Sequence, residues 1–140
     1  MSNIRRDILE RICRDFDIDI LYVFGNRAKE VMDWVSGKKK FISPDSLNIE
    51  IGVRPIPGKR LGFREKVFLK VALQSFLGVN KVNLVVIPES NPFLAANIIH
   101  GERLFFRNEY EADEYELYIL RRVGKFSSEK QRSEFIFGKN

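Results

Sequence analysis

Apolar residues recur three or four positions apart from Asn3 to Phe16. Ile4, Ile8, Ile12 and Phe16 form one row, Leu9 and Cys13 lie beside it, and Arg5, Arg6, Glu10, Arg11 and Arg14 fall elsewhere. This spacing predicts an amphipathic helix. The β-branched and aromatic run Ile18 to Phe24, closed by Gly25, predicts a buried strand. Asn26 to Val35 follows as a short helix with Asn26 as N-cap and Gly37 just beyond its end. A Ser-Pro-Asp-Ser turn is expected at Ser43 to Ser46. From Leu47 to Val53, apolar Leu47, Ile49, Ile51 and Val53 alternate with Asn48, Glu50 and Gly52, the pattern of a half-buried strand.

Pro55, Pro57, Gly58 and Gly62 mark a loop carrying Lys59 and Arg60. Phe63 to Leu77 repeats at helical spacing and stops at Gly78, a favourable residue just past a helix end. Val82 to Ile87 reads as a strand halted by Pro88, Pro92 to Ile99 as a short helix ending near Gly101, and Leu104 to Phe106 as a short strand. Glu109 to Val123 predicts a long helix, acidic in its first turn and carrying Arg121 and Arg122 near its end, which suits the helix dipole. The alternation of helices and strands predicts an α/β (α+β) domain, a small mixed sheet flanked by helices. We expect one domain over positions 1–126 and a polar tail over 127–140, interrupted by Phe135, Ile136 and Phe137, which suggest docking onto the domain or a partner.

The 140 residues suffice for one core without a metal or disulfide staple. Cys13 is the single cysteine, so no intrachain disulfide forms; it fits a reducing compartment and, on the apolar helix face, reads as core. No apolar run approaches the roughly 20 residues of a membrane span. A soluble, cytoplasmic protein is therefore expected. Lys and Arg exceed Asp and Glu by 24 to 19, giving a formal charge of +5. That excess suits phosphates, nucleotides or nucleic acid but equally keeps a protein soluble.

Three places could carry chemistry. The strand–Gly25–Asn26–Arg27–helix junction points free backbone N–H groups outward and has Arg27 and Lys29 beside it, a phosphate-binding arrangement. Asn48 and Glu50, two apart on one strand, share a face, and Asn83 on the next strand could meet them; the plain alternative is that all three hydrate an exposed sheet face. Lys38, Lys39 and Lys40 read as a solvated loop that, with Lys59, Arg60 and Arg64, could extend a phosphate-attracting surface. His100 is expected at a helix end, without catalytic or metal-binding work, and Trp34 with most Phe residues in core or interface.

Leu21-Tyr-Val-Phe-Gly-Asn-Arg-Ala-Lys-Glu30 resembles the Leu-Phe-Gly-Ser-Arg-Ala-Arg-Gly signature of the minimal nucleotidyltransferases, members of the DNA-polymerase-beta-like superfamily. Leu47 to Val53 is similar to that family's Ser-Asp-Ile-Asp-Leu-x-Val strand, Val82 to Val85 to the strand bearing its third Asp, and Ile98 to Phe106 to its closing stretch before a final helix. The resemblance spans Asp19 to Lys125 and implies the nucleotidyltransferase fold. It also implies a Gly-Ser turn that holds a triphosphate and three Asp that bind two Mg²⁺. Carried over, Gly25 keeps its place, the Ser is Asn26, and the three Asp are Asn48, Glu50 and Asn83. The connecting stretch, positions 27–47, is longer than the family's.

Three carboxylates would supply −3 to a two-metal site, whereas these positions supply −1, Glu50 being the only retained carboxylate. Each missing charge near 4 Å is worth about 4 kcal/mol per opposing charge at an effective dielectric of 20, before desolvation. Asp45 and Glu89 are poor substitutes, since Asp45 has the opposite strand parity to Glu50 and Glu89 lies beyond Pro88. The expected function is therefore a nucleotidyltransferase-fold protein that has lost metal-dependent transfer and binds a nucleotide such as ATP, with Mg²⁺ weak or absent, or a protein partner. By the resemblance, that partner is a HEPN-type helical toxin and the protein an antitoxin. The alternatives are an active, divergent Mg²⁺-dependent nucleotidyltransferase and a basic nucleic-acid-binding domain.

Overall fold

A computed structural model describes residues 3–43 and 48–136, positions 126–136 by backbone alone. The expected turn from Ser43 to Ser46, the strand start at Leu47, Asp45, and the side chains of Phe135 to Phe137 lie outside the described residues. Five helices and four strands follow in the order α1 (Ile4–Asp15), β1 (Ile18–Phe24), α2 (Ala28–Val35), β2 (Ile49–Pro55), α3 (Phe63–Leu77), β3 (Val82–Val86), α4 (Pro92–Ile99), β4 (Glu102–Phe106) and α5 (Glu109–Ile136). A 3₁₀ turn, Ile87–Glu89, separates β3 from α4.

The strands form one mixed sheet in the order β3-β2-β1-β4, with β1 antiparallel to both neighbours and β2 parallel to β3. Every residue of β1 is buried because helices cover both of its faces. Leu21 and Val23 pack with Leu9, Cys13, Val31 and Leu73 on the α1–α2–α3 side. Ile20, Tyr22 and Phe24 pack with Ile98, Ala112 and Ile119 on the α4–α5 side. Ile18 joins the first side despite its even position, and the register against β2 shifts between Ile18 and Ile20. That bulge brings the Asp19 carboxylate to Arg54, at 2.9 Å.

Asn3 shows how local chemistry sets element ends. Its side chain accepts from the N–H groups of Arg5 and Arg6 to start α1, and its amide donates to the Val35 carbonyl at 2.7 Å, tying the start of α1 to the end of α2. Arg5 stacks over Trp34 at 4.5 Å and donates to the carbonyls of Trp34, Lys39 and Lys40.

The structure departs from the sequence reading in six places. Strand β3 stops at Val86, with Ile87 opening the 3₁₀ turn, and β4 begins at Glu102 rather than Leu104. Helix α2 begins at Ala28 with Arg27, not Asn26, at the N-cap position, and no side chain caps it. Strand β2 runs on to Pro55. Its second face is not solvated either, because α4 lies against it: a Cβ on Gly52 would strike Ile98. Helix α5 continues past Val123 to Ile136, since nothing in Gly124-Lys-Phe-Ser-Ser-Glu breaks it beyond the modest cost of one glycine.

Candidate functional site

The junction after β1 forms as a tight turn. Gly25 has φ 83°, the left-handed region that glycine enters without penalty, and Ala28 N–H donates back to its carbonyl at 3.2 Å. In register, Phe24 faces Glu50 across the antiparallel pair, and Glu50 faces Asn83 across the parallel one. The structure thus brings Gly25, Glu50 and Asn83 into one row at the same end of the sheet. Asn48 is exposed and stands just before β2.

Within that row, Glu50 is half-buried and its carboxylate lies against Gly25, so closely that a Cβ there would collide with it. An incoming phosphate would meet this carboxylate, and like charges near 4 Å oppose each other by about 4 kcal/mol at an effective dielectric of 20. Asn26 and Lys29 are exposed, with Lys29 3.9 Å from Asp33.

Arg27 turns inward instead. It is 7% exposed, its Nε donates to Glu30 at 3.2 Å, and its terminal nitrogen donates to the Ser43 carbonyl. Glu30 completes the clasp by accepting from Ser43 N–H at 2.6 Å, and Lys39 stands 3.9 Å away. Burial alone would raise the Glu30 carboxyl's pKa. The Ser43 N–H, Arg27 and Lys39 outweigh it and hold the group below its ordinary value. Arg27 and Glu30 therefore anchor the long α2–β2 connection rather than facing solvent above the turn.

Two magnesium ions, the cofactor the resemblance implies, do not fit this donor set. Glu50 is one carboxylate, while Asn48 and Asn83 offer carbonyl oxygens that cannot neutralise a cation. Glu89 is engaged elsewhere, paired with Lys66 at 2.8 Å. Among the described residues, no three His, Cys, Asp or Glu side chains gather as a metal-binding group.

No family model and no curated protein matches the chain. Solved structures do. A toxin–antitoxin crystal structure with AMP-PNP superposes with a TM-score of 0.68 at 14% identity, covering 95% of this chain and 98% of that one. The Shewanella oneidensis tri-AMPylated HEPN toxin in complex with MNT antitoxin gives 0.64 at 15% identity, with 99% and 100% covered. The toxin–antitoxin MntA-HepT gives 0.64 at 15%, with 98% and 100% covered. The chain has the minimal nucleotidyltransferase fold. Both the expected mixed sheet and its flanking helices match that fold, and identities this low speak to fold alone.

Cys13 is fully buried, and burial pushes its thiol pKa well up, as a core residue requires. His100 caps α4 through its backbone N–H to Ala96. Trp34 packs edge-on to Phe76 at 5.2 Å. Lys59 and Arg60 line a cleft of about 800 Å³ at the Pro55 end of β2, with α5 as its other wall, and Lys38 to Lys40 are not among its lining residues. Sequence reading missed that cleft. Its signal was the i, i+3, i+7 row Tyr115, Tyr118, Arg122 facing a Pro-Gly loop, which the minimal nucleotidyltransferase motifs do not include.

Proposed function

We propose that this chain works by contact rather than by chemistry: an antitoxin-type protein that has given up metal-dependent nucleotidyl transfer and binds a helical, HEPN-type partner. The observation that carries the reading is the row Gly25–Glu50–Asn83, in which one carboxylate stands in the place of three and packs onto the glycine turn itself. A polyphosphate brought without metal meets Glu50's charge, and one brought with metal finds a single anionic ligand. The three solved neighbours described above are toxin–antitoxin structures, which favours a protein partner.

Helix α3 supports the same reading from another side. Its inner face buries Leu69, Leu73 and Leu77, yet Phe63, Val67, Phe68 and Val71 stand exposed on its outer face. A helix apolar on both faces is one with something to cover.

Calorimetry of ATP with and without Mn²⁺ tests the loss of metal chemistry. We expect Mn²⁺ to leave ATP binding unchanged. Metal-dependent binding with pyrophosphate release, abolished by Glu50→Gln, would restore the transferase reading. For the partner surface, Phe63→Ser with Phe68→Ser should change the isolated chain's stability by only about 0.5 kcal/mol each. The pair should nevertheless abolish co-purification with a co-expressed HEPN-type partner.

A further inference from the structure

The cleft at the opposite end of the sheet from Gly25 has a different chemistry. Its floor is Arg54, whose guanidinium is held by Asp19 at 2.9 Å and stacks over the Tyr115 ring at 4.1 Å. Burial pushes the Tyr115 hydroxyl pKa up to about 12, so that ring stays neutral. Tyr115 stacks in turn on Tyr118, at 6.1 Å and 27° between planes, and Arg122 stands 5.7 Å from the Tyr118 ring. This is a preset stack of cation and aromatic groups with its outer ring half exposed.

Around that floor, the lining carries both charges: Arg122 shares α5 with two carboxylates, and Glu89, off α5, is already paired with Lys66 at 2.8 Å. Lys59 and Arg60 are exposed on the loop wall, and among the described residues neither pairs with a carboxylate. Glu111 and Glu114 stand on the α5 wall. A bare polyanion would suit the first wall and be repelled by the second, and a purely apolar ligand would strand both. A ligand with an anionic end, hydroxyl or amine donors, and a flat ring satisfies all three parts of the cleft. The loop cations take the anion, the Glu carboxylates accept from the donors, and Tyr110 or Tyr118 takes the ring. The volume of about 800 Å³ falls within the range of roughly 300–1,000 Å³ usual for small-molecule sites.

We propose that this cleft binds a nucleoside phosphate, without metal, at a site separate from the Gly25 turn. The two lie at opposite ends of β1, about 20 Å apart at 3.3 Å per residue. The inference stands independently of the partner reading, since it uses no residue of the Gly25 row or of the α3 outer face.

The test is calorimetry of the full chain with AMP in the presence of EDTA, alongside adenosine, inorganic phosphate and a short single-stranded RNA. We expect AMP to bind, and adenosine or phosphate alone to bind at least about tenfold more weakly. Lys59→Ala with Arg60→Ala, both on an exposed loop, should weaken AMP by at least about tenfold, and Tyr118→Ala should also weaken it. Arg11→Ala, on the exposed side of α1 and away from the cleft, should leave it unchanged. No AMP binding at millimolar concentration, AMP binding indifferent to the loop and Tyr118 variants, or binding of RNA but not AMP would each overturn the proposal. Circular dichroism melts of the variants confirm that any loss is not unfolding.

Discussion

At one end of the sheet, a glycine turn is closed by its own surroundings; at the other, a cleft stands open on a prearranged floor. Near Gly25, Glu50 lies against the turn and Arg27 folds inward to Glu30 and Ser43, so the groups a phosphate would use are occupied or opposed. Near Pro55, Asp19 pairs with Arg54 and holds its guanidinium over Tyr115, while Lys59 and Arg60 stay unpaired among the described residues. In both places an arginine meets a carboxylate. At the first end the pair closes a loop down, and at the second it presents a surface. The difference teaches that a phosphate-binding shape and phosphate-binding chemistry are separable, and that motif order reports the shape.

The largest way to break this contrast is Asp19→Ala. It leaves Arg54 three-quarters buried without its partner and should cost about 2–3 kcal/mol in urea unfolding, somewhat less than a fully buried pair. Asp19→Ala with Arg54→Met should recover much of that loss, while AMP affinity stays low because the stacked cation is gone. Gly25→Ala comes next, at about 1–2 kcal/mol for a Cβ at positive φ. Combining it with Glu50→Ala removes the collision but not the backbone cost. The double variant should therefore be less destabilised than the sum of the singles; strict additivity would mean that Glu50 does not press on the turn.

Glu30→Gln gives the smallest effect, about 1 kcal/mol at neutral pH for the lost charge-assisted bonds. Because the native pKa of Glu30 is depressed, its stabilisation exists above the ordinary carboxylate value and is lost as pH falls through the native value. Wild type and Glu30→Gln should accordingly converge in stability in acid. A gap that persists or widens below pH ~4 would show that the carboxylate's charge is not what holds the α2–β2 connection.

The fold was legible where punctuation was strong. Gly25, Gly78 and Pro92 sit at the limits of β1, α3 and α4, and those three elements span the residues that their patterns predict. It was less legible where partners on distant elements decide. The polar face of β2 looked solvated because nothing local shows that α4 will cover Gly52. At the site, sequence placed Gly25, Glu50 and Asn83 together, as strand parity and motif order allow. It did not show that Arg27 turns inward, since that depends on Glu30 one turn later meeting the backbone of Ser43 across a long connection. The cleft was hidden for a related reason: its floor joins Asp19, Arg54 and Tyr115 from β1, β2 and α5, with the bulge in β1 supplying the alignment.

The loss of two-metal function proposed for the Gly25 end can be measured without knowing partner or acceptor. Crystals soaked in Mn²⁺ with a non-hydrolysable ATP analogue, read by anomalous scattering, should show no paired manganese peaks between Glu50 and Asn83. Two such peaks, bridged by phosphate oxygens above Gly25, would contradict the account and make this chain a working transferase.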